Sequence, residues 1–381
     1  MRENEEIQLL KDIMEIPSVN GRDDEGKVAE YLCDYLNAAG IPARVDRIDE
    51  MHANVVAMLE GTSDAGPVIW NGHLDTVPYG SGEDWHTDPA KPVEKGTRLY
   101  GRGASDMKSG LCAMVSALCR FKRSGKKAVR SICFAGTCDE EKYGRGAEYF
   151  LQNSQFSKCG QILIGEPTGL KLGVAQKGCI WLELLLHGKT SHGAYPDKGC
   201  SAVEAALNIS YKIKAYVEKN SHNLLGTATA NITQISGGTA PNMIPETCRL
   251  LMDIRVVPGL TDEMVLTQAL QYFEEEQIRT GEKLQGHVQI INNRRAIETG
   301  ETSPLVCSMK QSIQAEGLKT ECIGINFFTD ASILARNLPD AQVLLFGPGE
   351  PSMAHQPDEF VDLENYMKAV RIFTSMIEYQ T

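Results

Sequence analysis

The sequence predicts an α/β fold in which helices flank a mixed sheet and a smaller domain is inserted into the larger one. Three observations lead to this prediction. Apolar stretches typical of strands alternate with stretches of helical periodicity over the first 165 residues, and the alternation returns after residue 293. Between them the order of elements is β-α-β-β-α-β, that of a ferredoxin-like unit. We therefore assign residues 1–177 and 293–381 to the larger domain and residues 178–292 to the inserted one.

The larger domain begins with two amphipathic helices, "EEIQLLKDIMEI" and "KVAEYLCDYLNAAG", the second of which ends at Gly40. Bounded apolar runs then predict strands, and apolar residues at helical spacing, such as Leu111, Met114 and Leu118, predict helices. In chain order the predicted elements are strands at 42–48, 54–59 and 66–72, a helix at 107–122, a strand at 128–136, a helix at 143–152 and a strand at 161–165.

The inserted domain begins in "KGCIWLELLLHG", an apolar run that predicts a strand at 179–187. Val203, Leu207 and Ile213 lie on one stripe of the helix that follows. The remaining predicted elements are the helix at 201–219, strands at 228–236 and 246–257, a helix at 262–279 and a strand at 287–292, after which the larger domain resumes with a helix at 303–316, the strand "AQVLLFG" and a closing helix from residue 362.

Composition limits the class of protein. The 381 residues are 42% hydrophobic and 23% charged, which is typical of a globular chain of about two domains. The net charge of −12, with no cluster of Lys and Arg, argues against a nucleic-acid partner. The acidic, amphipathic amino terminus is neither a signal peptide nor a membrane span, so we expect a cytoplasmic protein without a membrane partner. Eleven cysteines without a C-x-x-C pair predict reduced, buried thiols.

Histidines and carboxylates stand just beyond the predicted strands of the larger domain. In open α/β sheets, ligands bind outside the carboxyl ends of the strands, so these side chains can meet in one crevice. They are His73 and Asp75 in "VIWNGHLDTVP", Glu140 and Glu141 in "FAGTCDEE", Glu166 in "ILIGEPTG" and His355 in "GPGEPSMAHQPDEF", joined by Asp106 in "LYGRGASDMKSG", which opens a helix.

Two histidines and several carboxylates without cysteine form a nitrogen and oxygen donor set, which suits zinc, with manganese or cobalt as substitutes. One metal needs only three protein ligands, so the surplus predicts two metals about 3.5–4 Å apart, bridged by one carboxylate and a water. We assign His73 and Glu166 to one metal, Glu141 and His355 to the other, and Asp106 to the bridge.

Two further acids receive supporting roles. Asp75 lies two residues from His73, on the same side of an extended chain, where it can orient the imidazole. Glu140, next to a predicted ligand, is free to act as the general base.

Each of these residues also has an ordinary structural explanation. A Glu-Glu pair often begins a solvated helix, Asp106 could cap its helix, "GEPTG" could be a simple turn, and His355 could be a surface loop residue. Their joint occurrence, in order and at strand ends, favours the metal site.

The motifs resemble those of a di-zinc metallopeptidase family that includes acetylornithine deacetylase, succinyl-diaminopimelate desuccinylase, aminoacylase and glutamate carboxypeptidase. The resemblance covers essentially the whole chain and implies the same ligand, orienting and base roles. It also implies that the inserted domain is a lid that commonly dimerises. The motifs that carry it are "NGHLDTVP", "GRGASDMKSG", "TCDEE", "GEPTG", "GKTSHGAYPDKG", "GGTAPNMIPE", "DIRVVPG" and "GPGEPSMAHQPDEF".

The resemblance also implies further site residues. His192 matches a lid histidine that stabilises the oxyanion, often from the partner subunit, although a plain loop histidine is the alternative. Asn242 and Arg255 match substrate contacts, and a structural ion pair is the alternative for Arg255. Thr329 in "FFTDAS" and Gly347 in "GPG" match loops that line the pocket.

The resemblance implies hydrolysis of the amide bond of an N-acyl amino acid, by a water that two Zn²⁺ ions activate, with Glu140 as general base. Desuccinylases usually have Arg where this chain has Lys177, and Lys lacks the fork that binds both carboxylate oxygens, which favours acetylornithine or a broader acyl-amino acid. A dipeptidase or carboxypeptidase with the same metals is the alternative, and a binding protein that has lost catalysis is another, although no ligand or base is missing here.

Overall fold

A computed structural model describes residues 2–153, 159–336, 338 and 340–379. The helices are α1 (Arg2–Glu15), α2 (Gly26–Ala38), α3 (Lys108–Arg123), α4 (Arg145–Asn153), α5 (Ala202–Val217), α6 (Asp262–Arg279), α7 (Pro304–Ala315), α8 (Ala331–Leu334) and α9 (Leu363–Tyr379). The strands are β1 (Ala43–Arg47), β2 (Ala53–Leu59), β3 (Val68–His73), β4 (Val93–Lys95), β5 (Arg98–Tyr100), β6 (Ile132–Thr137), β7 (Gln161–Ile164), β8 (Leu172–Gln176), β9 (Gly178–His187), β10 (Ser221–His222), β11 (Gly226–Thr227), β12 (Thr229–Gly237), β13 (Thr247–Val256), β14 (Gln285–Arg294), β15 (Ile297–Glu298), β16 (Cys322–Ile325), β17 (Gln342–Leu345) and β18 (Phe360–Asp362).

The chain forms two compact units. The first contains Met1–Val174, Thr299–Ile323 and Thr329–Thr381, and the second contains Ala175–Glu298 and Gly324–Phe328. The predicted mixed α/β fold is confirmed, with a mixed sheet and helices.

The sheet of the first unit has a parallel centre. Its strands follow the order β1-β2-β6-β3-β7-β17-β8. Strands β6, β3, β7 and β17 are parallel, with Trp70 opposite both Phe134 and Leu163, whereas β2 and β8 pair antiparallel at either side. Because the four central strands run in one direction, their carboxyl ends lie at one edge of the sheet.

The central strands are apolar because helices cover them. Every residue of β3, β6 and β7 is buried, as expected for parallel strands in a core. Helices α1, α2, α3, α7 and α9 share one hydrophobic core with the sheet, and Phe373 of α9 packs against Trp70 and Phe346 with ring centroids 5.4 and 5.5 Å apart. Helices α4 and α8 contact each other and the strands β6 and β7, respectively.

A small antiparallel sheet of β4, β5 and β18 was not predicted from the sequence. It pairs Phe360 with Tyr100 and Val361 with Leu99, and so joins segments about 260 residues apart in the chain. Its three strands have only three residues each, too few for a periodic pattern to stand out. The pairing brings the segment after His355 beside the loop that precedes α3.

The second unit has the element order β-α-β-β-α-β that the sequence predicts, with the two-residue strands β10 and β11 added between α5 and β12. Its antiparallel sheet runs β12-β13-β9-β14, and apolar residues of the sheet, α5 and α6 form a separate hydrophobic core. The α5 stripe is largely confirmed, since Ile213 is buried and Val203 and Leu207 are partly buried. The role of this unit as a lid and dimerisation domain stays a prediction.

Within the described ranges, the helices are all too short or too polar to cross a membrane.

Candidate metal centre

Most of the predicted site residues of the first unit follow the carboxyl ends of its parallel strands, whereas Asp106 lies just before α3. His73 is the last residue of β3, Glu140 and Glu141 follow β6, and Glu166 follows β7. His355 lies in the loop between β17 and β18. The apolar strand that precedes each of these side chains is anchored in the core, so the side chain itself is held at the edge of the sheet. This is why the buried strand β3 ends in an imidazole, that of His73.

One group of ligand atoms is formed by His73, Asp106 and Glu166, which lie within 4.8 Å of one another. The Nε2 atom of His73 is 3.1 Å from Oδ1 of Asp106. His73 is 1% exposed and Glu166 is 3% exposed, so this group lies inside the protein.

A second group is formed by Asp106, Glu141 and His355, again within 4.8 Å. The Nε2 atom of His355 is 3.1 Å from Oε2 of Glu141 and 3.4 Å from Oδ2 of Asp106. The His355 side chain is half exposed, so this group lies towards the surface. Asp106 therefore belongs to both groups and turns one carboxylate oxygen towards each histidine.

The local structure argues against the ordinary explanations for these acids. The helix α3 begins after Met107, whose side chain makes no capping hydrogen bond, so Asp106 does not cap it. Glu140 and Glu141 do not begin a helix, because α4 starts at Arg145, and both side chains are largely buried.

Asp75 organises the segment after β6. It is fully buried, and its Oδ1 and Oδ2 accept hydrogen bonds from the backbone N–H groups of Glu140 (3.2 Å) and Glu141 (3.1 Å). The Nδ1 atom of His73 lies 2.9 Å from the backbone carbonyl oxygen of Asp75 and 3.5 Å from its Oδ1. The carbonyl is thus the nearer partner, and it leaves Nε2 facing Asp106.

Two residues beside the centre have left-handed backbone conformations that non-glycine residues rarely adopt. Asp139, next to Glu140, has φ of 60°, and His355 has φ of 63°. Surrounding contacts must hold such conformations in place, and they concentrate at functional sites. Asp139 is held by its Oδ2, which accepts a 2.7 Å hydrogen bond from Nε of Arg145.

The pKa values of the ionisable side chains in the centre are shifted from their usual values. Burial raises the pKa of Glu140, Glu141 and Glu166, and neighbouring carboxylates raise it further. Burial alone would lower the pKa of His73, but hydrogen bonds with Asp106 and Asp75 hold it well above its usual value. Hydrogen bonds with Asp106 and Glu141 raise the pKa of His355 to about 10.

These residues fit divalent metal ions. Several buried carboxylates so close together favour protons or cations between them, and a divalent cation compensates the same charge. Oε1 of Glu141 is buried and has no hydrogen-bond partner among the described residues, as expected of an atom available to bind a metal. Imidazole nitrogens and carboxylate oxygens without sulfur form the donor set expected for zinc or manganese.

A buried network behind Asp75 was not predicted. The Nδ2 group of Asn20 donates to Oδ2 of Asp75 (2.9 Å) and to Oδ1 of Asp139 (3.0 Å), and the N–H of Asp139 donates to Glu25 (2.8 Å). Burial, with the charges of Asp75 and Asp139, raises the pKa of Glu25 to about 9. The only signal in the sequence is a cluster of polar residues in "SVNGRDDEG", which reads equally well as a loop.

Thr329 and Gly347 also belong to the first unit. Thr329 is 1% exposed and its Oγ1 accepts a hydrogen bond from the N–H of Ala331 (3.2 Å). A Cβ at Gly347 would lie 2.5 Å from the carbonyl oxygen of Glu166, so only glycine fits beside this predicted ligand.

His192 and Asn242 lie on neighbouring exposed loops of the second unit. The backbone of His192 pairs with Met243, and the N–H of Gly193 donates to the carbonyl oxygen of Asn242 (2.8 Å). The N–H of Ala194 donates to Nδ1 of His192 (3.0 Å), so the neutral imidazole carries its proton on Nε2.

Arg255 and Lys177 are both engaged within the second unit. The guanidinium of Arg255 forms a two-bond ion pair with Asp253, at 2.7 and 3.2 Å, so the structural alternative for this residue has a partner. Lys177 is 8% exposed and donates to the carbonyl oxygen of Thr227 (2.8 Å). Burial, with the nearby charge of Arg255, lowers the pKa of Lys177.

Clustered histidines and carboxylates at the carboxyl edge of an α/β sheet form a candidate metal centre, and the comparisons with known proteins identify the class of protein as a metal-dependent hydrolase. Residues 69–379 match the protein-family model for Peptidase family M20/M25/M40. The chain therefore belongs to this family, as the motifs predict.

Two curated relatives are each 29% identical to this chain. One is a probable succinyl-diaminopimelate desuccinylase of Staphylococcus aureus, with 97% of this chain and 96% of the relative covered. The other is an acetylornithine deacetylase of Vibrio cholerae, with 95% and 94% covered.

Solved structures show the same fold over the whole chain. An aminopeptidase PepT of Bacillus cereus has a TM-score of 0.79 at 19% identity, with 99% of this chain and 98% of that chain covered. A dinuclear metal-binding peptidase of the M20 family from Bacillus subtilis has a TM-score of 0.76 at 14% identity, with 99% and 97% covered.

Proposed function

We propose that the protein hydrolyses the amide bond of an N-acyl amino acid with two zinc ions. His73 and Glu166 would hold one ion, Glu141 and His355 the other, and Asp106 both. The observation that carries this proposal is the position of Asp106, which turns one oxygen towards each histidine and belongs to both groups of ligand atoms. The dinuclear metal-binding relative from Bacillus subtilis supports the count of two.

Bound there, the ions supply Lewis-acid chemistry, which polarises the amide carbonyl and makes a water molecule more acidic; cobalt or manganese can substitute for zinc. Glu140 accepts the proton of the attacking water and returns it to the leaving amine. Burial beside other carboxylates raises its affinity for a proton, which suits a group that must take one up and release it. Asp75 holds Glu140 and Glu141 through their N–H groups and His73 through the Nδ1 side of its ring.

We assign His192 the stabilisation of the oxyanion. Its Nε2 carries the proton when the ring is neutral, and the side chain is exposed, so it can donate a hydrogen bond to a developing negative charge. Asn242, on the paired loop, is assigned to substrate contact, as are Arg255, Lys177, Thr329 and Gly347.

The names of the curated relatives support the proposed substrate class. The two curated relatives are named for the removal of a succinyl and an acetyl group from amino acids, which supports an N-acyl amino acid. A lysine binds a carboxylate as a point charge without the fork of Arg, so Lys177 in place of Arg favours the acetylated substrate over the succinylated one. A dipeptidase or carboxypeptidase is the alternative, and structural neighbours described as an M20 family metallo-carboxypeptidase and a carnosine dipeptidase support it.

We also propose a cytoplasmic homodimer that associates through the second unit. Strand β12 lies at an edge of its sheet, and Ile235 in that strand is 47% exposed. An unpaired strand edge is a template for a second chain. Light scattering after a sizing column measures the mass directly, and a monomer at micromolar concentration would overturn the proposed homodimer.

Release of free amine tests the function. We expect zinc-loaded protein to hydrolyse N-acetyl-L-ornithine faster than N-succinyl-diaminopimelate or dipeptides, and EDTA-treated protein to hydrolyse none of them. Turnover of dipeptides alone would favour the peptidase alternative. No EDTA-sensitive turnover of any of the three would support the binding protein that has lost catalysis.

A further inference from the structure

Glu359 binds the whole loop that carries Asp106, although 253 residues separate them. Its side chain is fully buried, and the four hydrogen bonds that it accepts from described residues all come from this loop. Oε1 accepts from the N–H groups of Ser105 (2.8 Å) and Asp106 (2.9 Å). Oε2 accepts from the N–H of Gly103 (3.1 Å) and from Nη1 of Arg102 (2.8 Å).

Arg102 connects the loop that carries Asp106 to further segments of the chain. Besides Glu359, its guanidinium donates to the carbonyl oxygen of Gln356 (3.2 Å), which directly follows His355, and to that of Pro78 (3.3 Å), in the segment that begins with His73 and Asp75. The Arg102 guanidinium also lies 5.0 Å from the ring centroid of Trp85. Arg102 is 5% exposed, so both charges of the pair are withdrawn from water.

A buried ion pair contributes little net stability by itself, because desolvation of the charges offsets their attraction. Its geometry, however, is strict: hydrogen bonds to ionised groups are short and directional, and an unpaired partner left in the interior is unfavourable. A pair that reaches three chain segments therefore fixes their relative position. Here those segments contain His73, Asp106 and His355.

We propose that the buried Arg102–Glu359 ion pair is a positioning pair that holds Asp106 and His355 at the spacing needed to bind two metal ions. The inference rests on the proposed function, because it takes these residues as ligands. The described hydrogen bonds of Arg102 and Glu359 join the two side chains to each other and to backbone groups, so the pair acts through the backbone of the two loops.

The test is a calorimetric titration of EDTA-treated protein with ZnCl₂, which gives the number of ions bound and their affinity without any substrate. We expect Glu359→Gln to weaken zinc binding by about 10- to 100-fold, the usual effect of removing a group that orients metal ligands. Arg102→Lys keeps the charge but cannot reach all three acceptors, and we expect a smaller loss of about 3- to 10-fold.

The matched control is Glu316→Gln, which removes the 2.7 Å, partly buried ion pair between Glu316 and Arg371. We expect this variant to bind zinc like the wild type. The absorption spectrum of the cobalt-substituted protein gives a second readout, since it reports ligand geometry, and it should change in Glu359→Gln and not in Glu316→Gln.

The outcomes separate the two proposals. Wild-type protein that binds no zinc overturns the proposed function and this inference together. Wild-type protein that binds two ions, beside a Glu359→Gln variant that is less stable but binds both with wild-type affinity, overturns the inference alone. If Glu359→Gln does not fold, wild-type affinity in Arg102→Lys overturns it in the same way.

Discussion

At the scale of single residues, the candidate centre depends on how Asp106 and Asp75 are held. Asp106 faces one histidine with each oxygen, and Asp75 receives the N–H groups of Glu140 and Glu141. Both carboxylates are buried, where charges are perturbed by several neighbours at once. The pH dependence of stability should therefore originate in this region.

The Glu25 carboxyl gives a test of these charges. Its pKa in the folded protein is about 9, against about 4.5 in an unfolded chain, because burial and the charges of Asp75 and Asp139 disfavour ionisation. A raised pKa contributes stability that is complete below pH 4.5 and is lost as pH rises through 9. The metal-free wild type should therefore lose stability over this range, and Glu25→Gln, which cannot ionise, should lose less.

Urea denaturation of metal-free wild type and metal-free Glu25→Gln at pH 6 and pH 9 measures how much stability each protein loses. We expect the fall in unfolding free energy to be smaller in Glu25→Gln by more than about 1.4 kcal/mol, the equivalent of one pKa unit. Equal falls in the two proteins would mean that Glu25 does not carry a raised pKa.

At the scale of secondary structure, the helix α3 and the strand β7 set the position of Glu166. Gly110 of α3 lies against the backbone of Gly165, and a Cβ at Gly110 would overlap the carbonyl oxygen of Gly165. Alanine favours helices over glycine by about 1 kcal/mol, but this overlap is with backbone, which cannot rotate away.

We therefore expect Gly110→Ala to lower the free energy of unfolding by about 1–3 kcal/mol and to weaken zinc binding, because the segment carrying Glu166 must shift. The control is Gly160→Ala, just before the same strand, where a Cβ would meet nothing within 4 Å. This variant should stay within about 0.5 kcal/mol of the wild type. A Gly110→Ala protein as stable as the control would contradict the packing.

The sequence predicts the long elements well and the short ones poorly. Helix α6 is predicted at 262–279 and observed as Asp262–Arg279, because its length gives several turns of periodicity. The five-residue strand β8 was missed, since a short buried run carries no period of its own. The strands β4, β5 and β18 were missed for the same reason.

The candidate site also contains residues that the sequence predicts and residues that it misses. His73, Glu141 and Glu166 stand close to strand ends, where the local sequence pattern marks them. Glu359 and Asn20 act through partners more than 50 residues away, and no local pattern records such a pairing. The ligand roles themselves stay predictions, which the zinc titration tests.

At the scale of the whole molecule, the burial of each cysteine shows whether its part of the chain lies in the core. All eleven are free thiols. Eight are buried, as predicted, but Cys307 on α7 is exposed and Cys33 and Cys322 are partly buried, so the prediction of uniformly buried thiols was wrong at these positions. Burial raises the pKa of deep thiols such as Cys133, to about 12, and so removes the reactive thiolate.

Brief treatment of the native protein with iodoacetamide, followed by peptide mass spectrometry, should label Cys307 first. We expect the eight buried cysteines to react at least about tenfold more slowly until the protein is unfolded in urea. A Cys307→Ser variant should lose the fast phase. Rapid labelling of Cys133 in the native protein would contradict the described core.

The central claim is that this chain hydrolyses amide bonds with Glu140 as the general base beside two metal ions. Its most direct test is the turnover number of Glu140→Gln at equal zinc content, beside wild type and the surface control Glu60→Gln. We predict that Glu140→Gln keeps two zinc ions per chain and loses about 10²- to 10⁴-fold in kcat, because the proton acceptor is gone. Near-normal turnover of a fully loaded Glu140→Gln protein would contradict the claim.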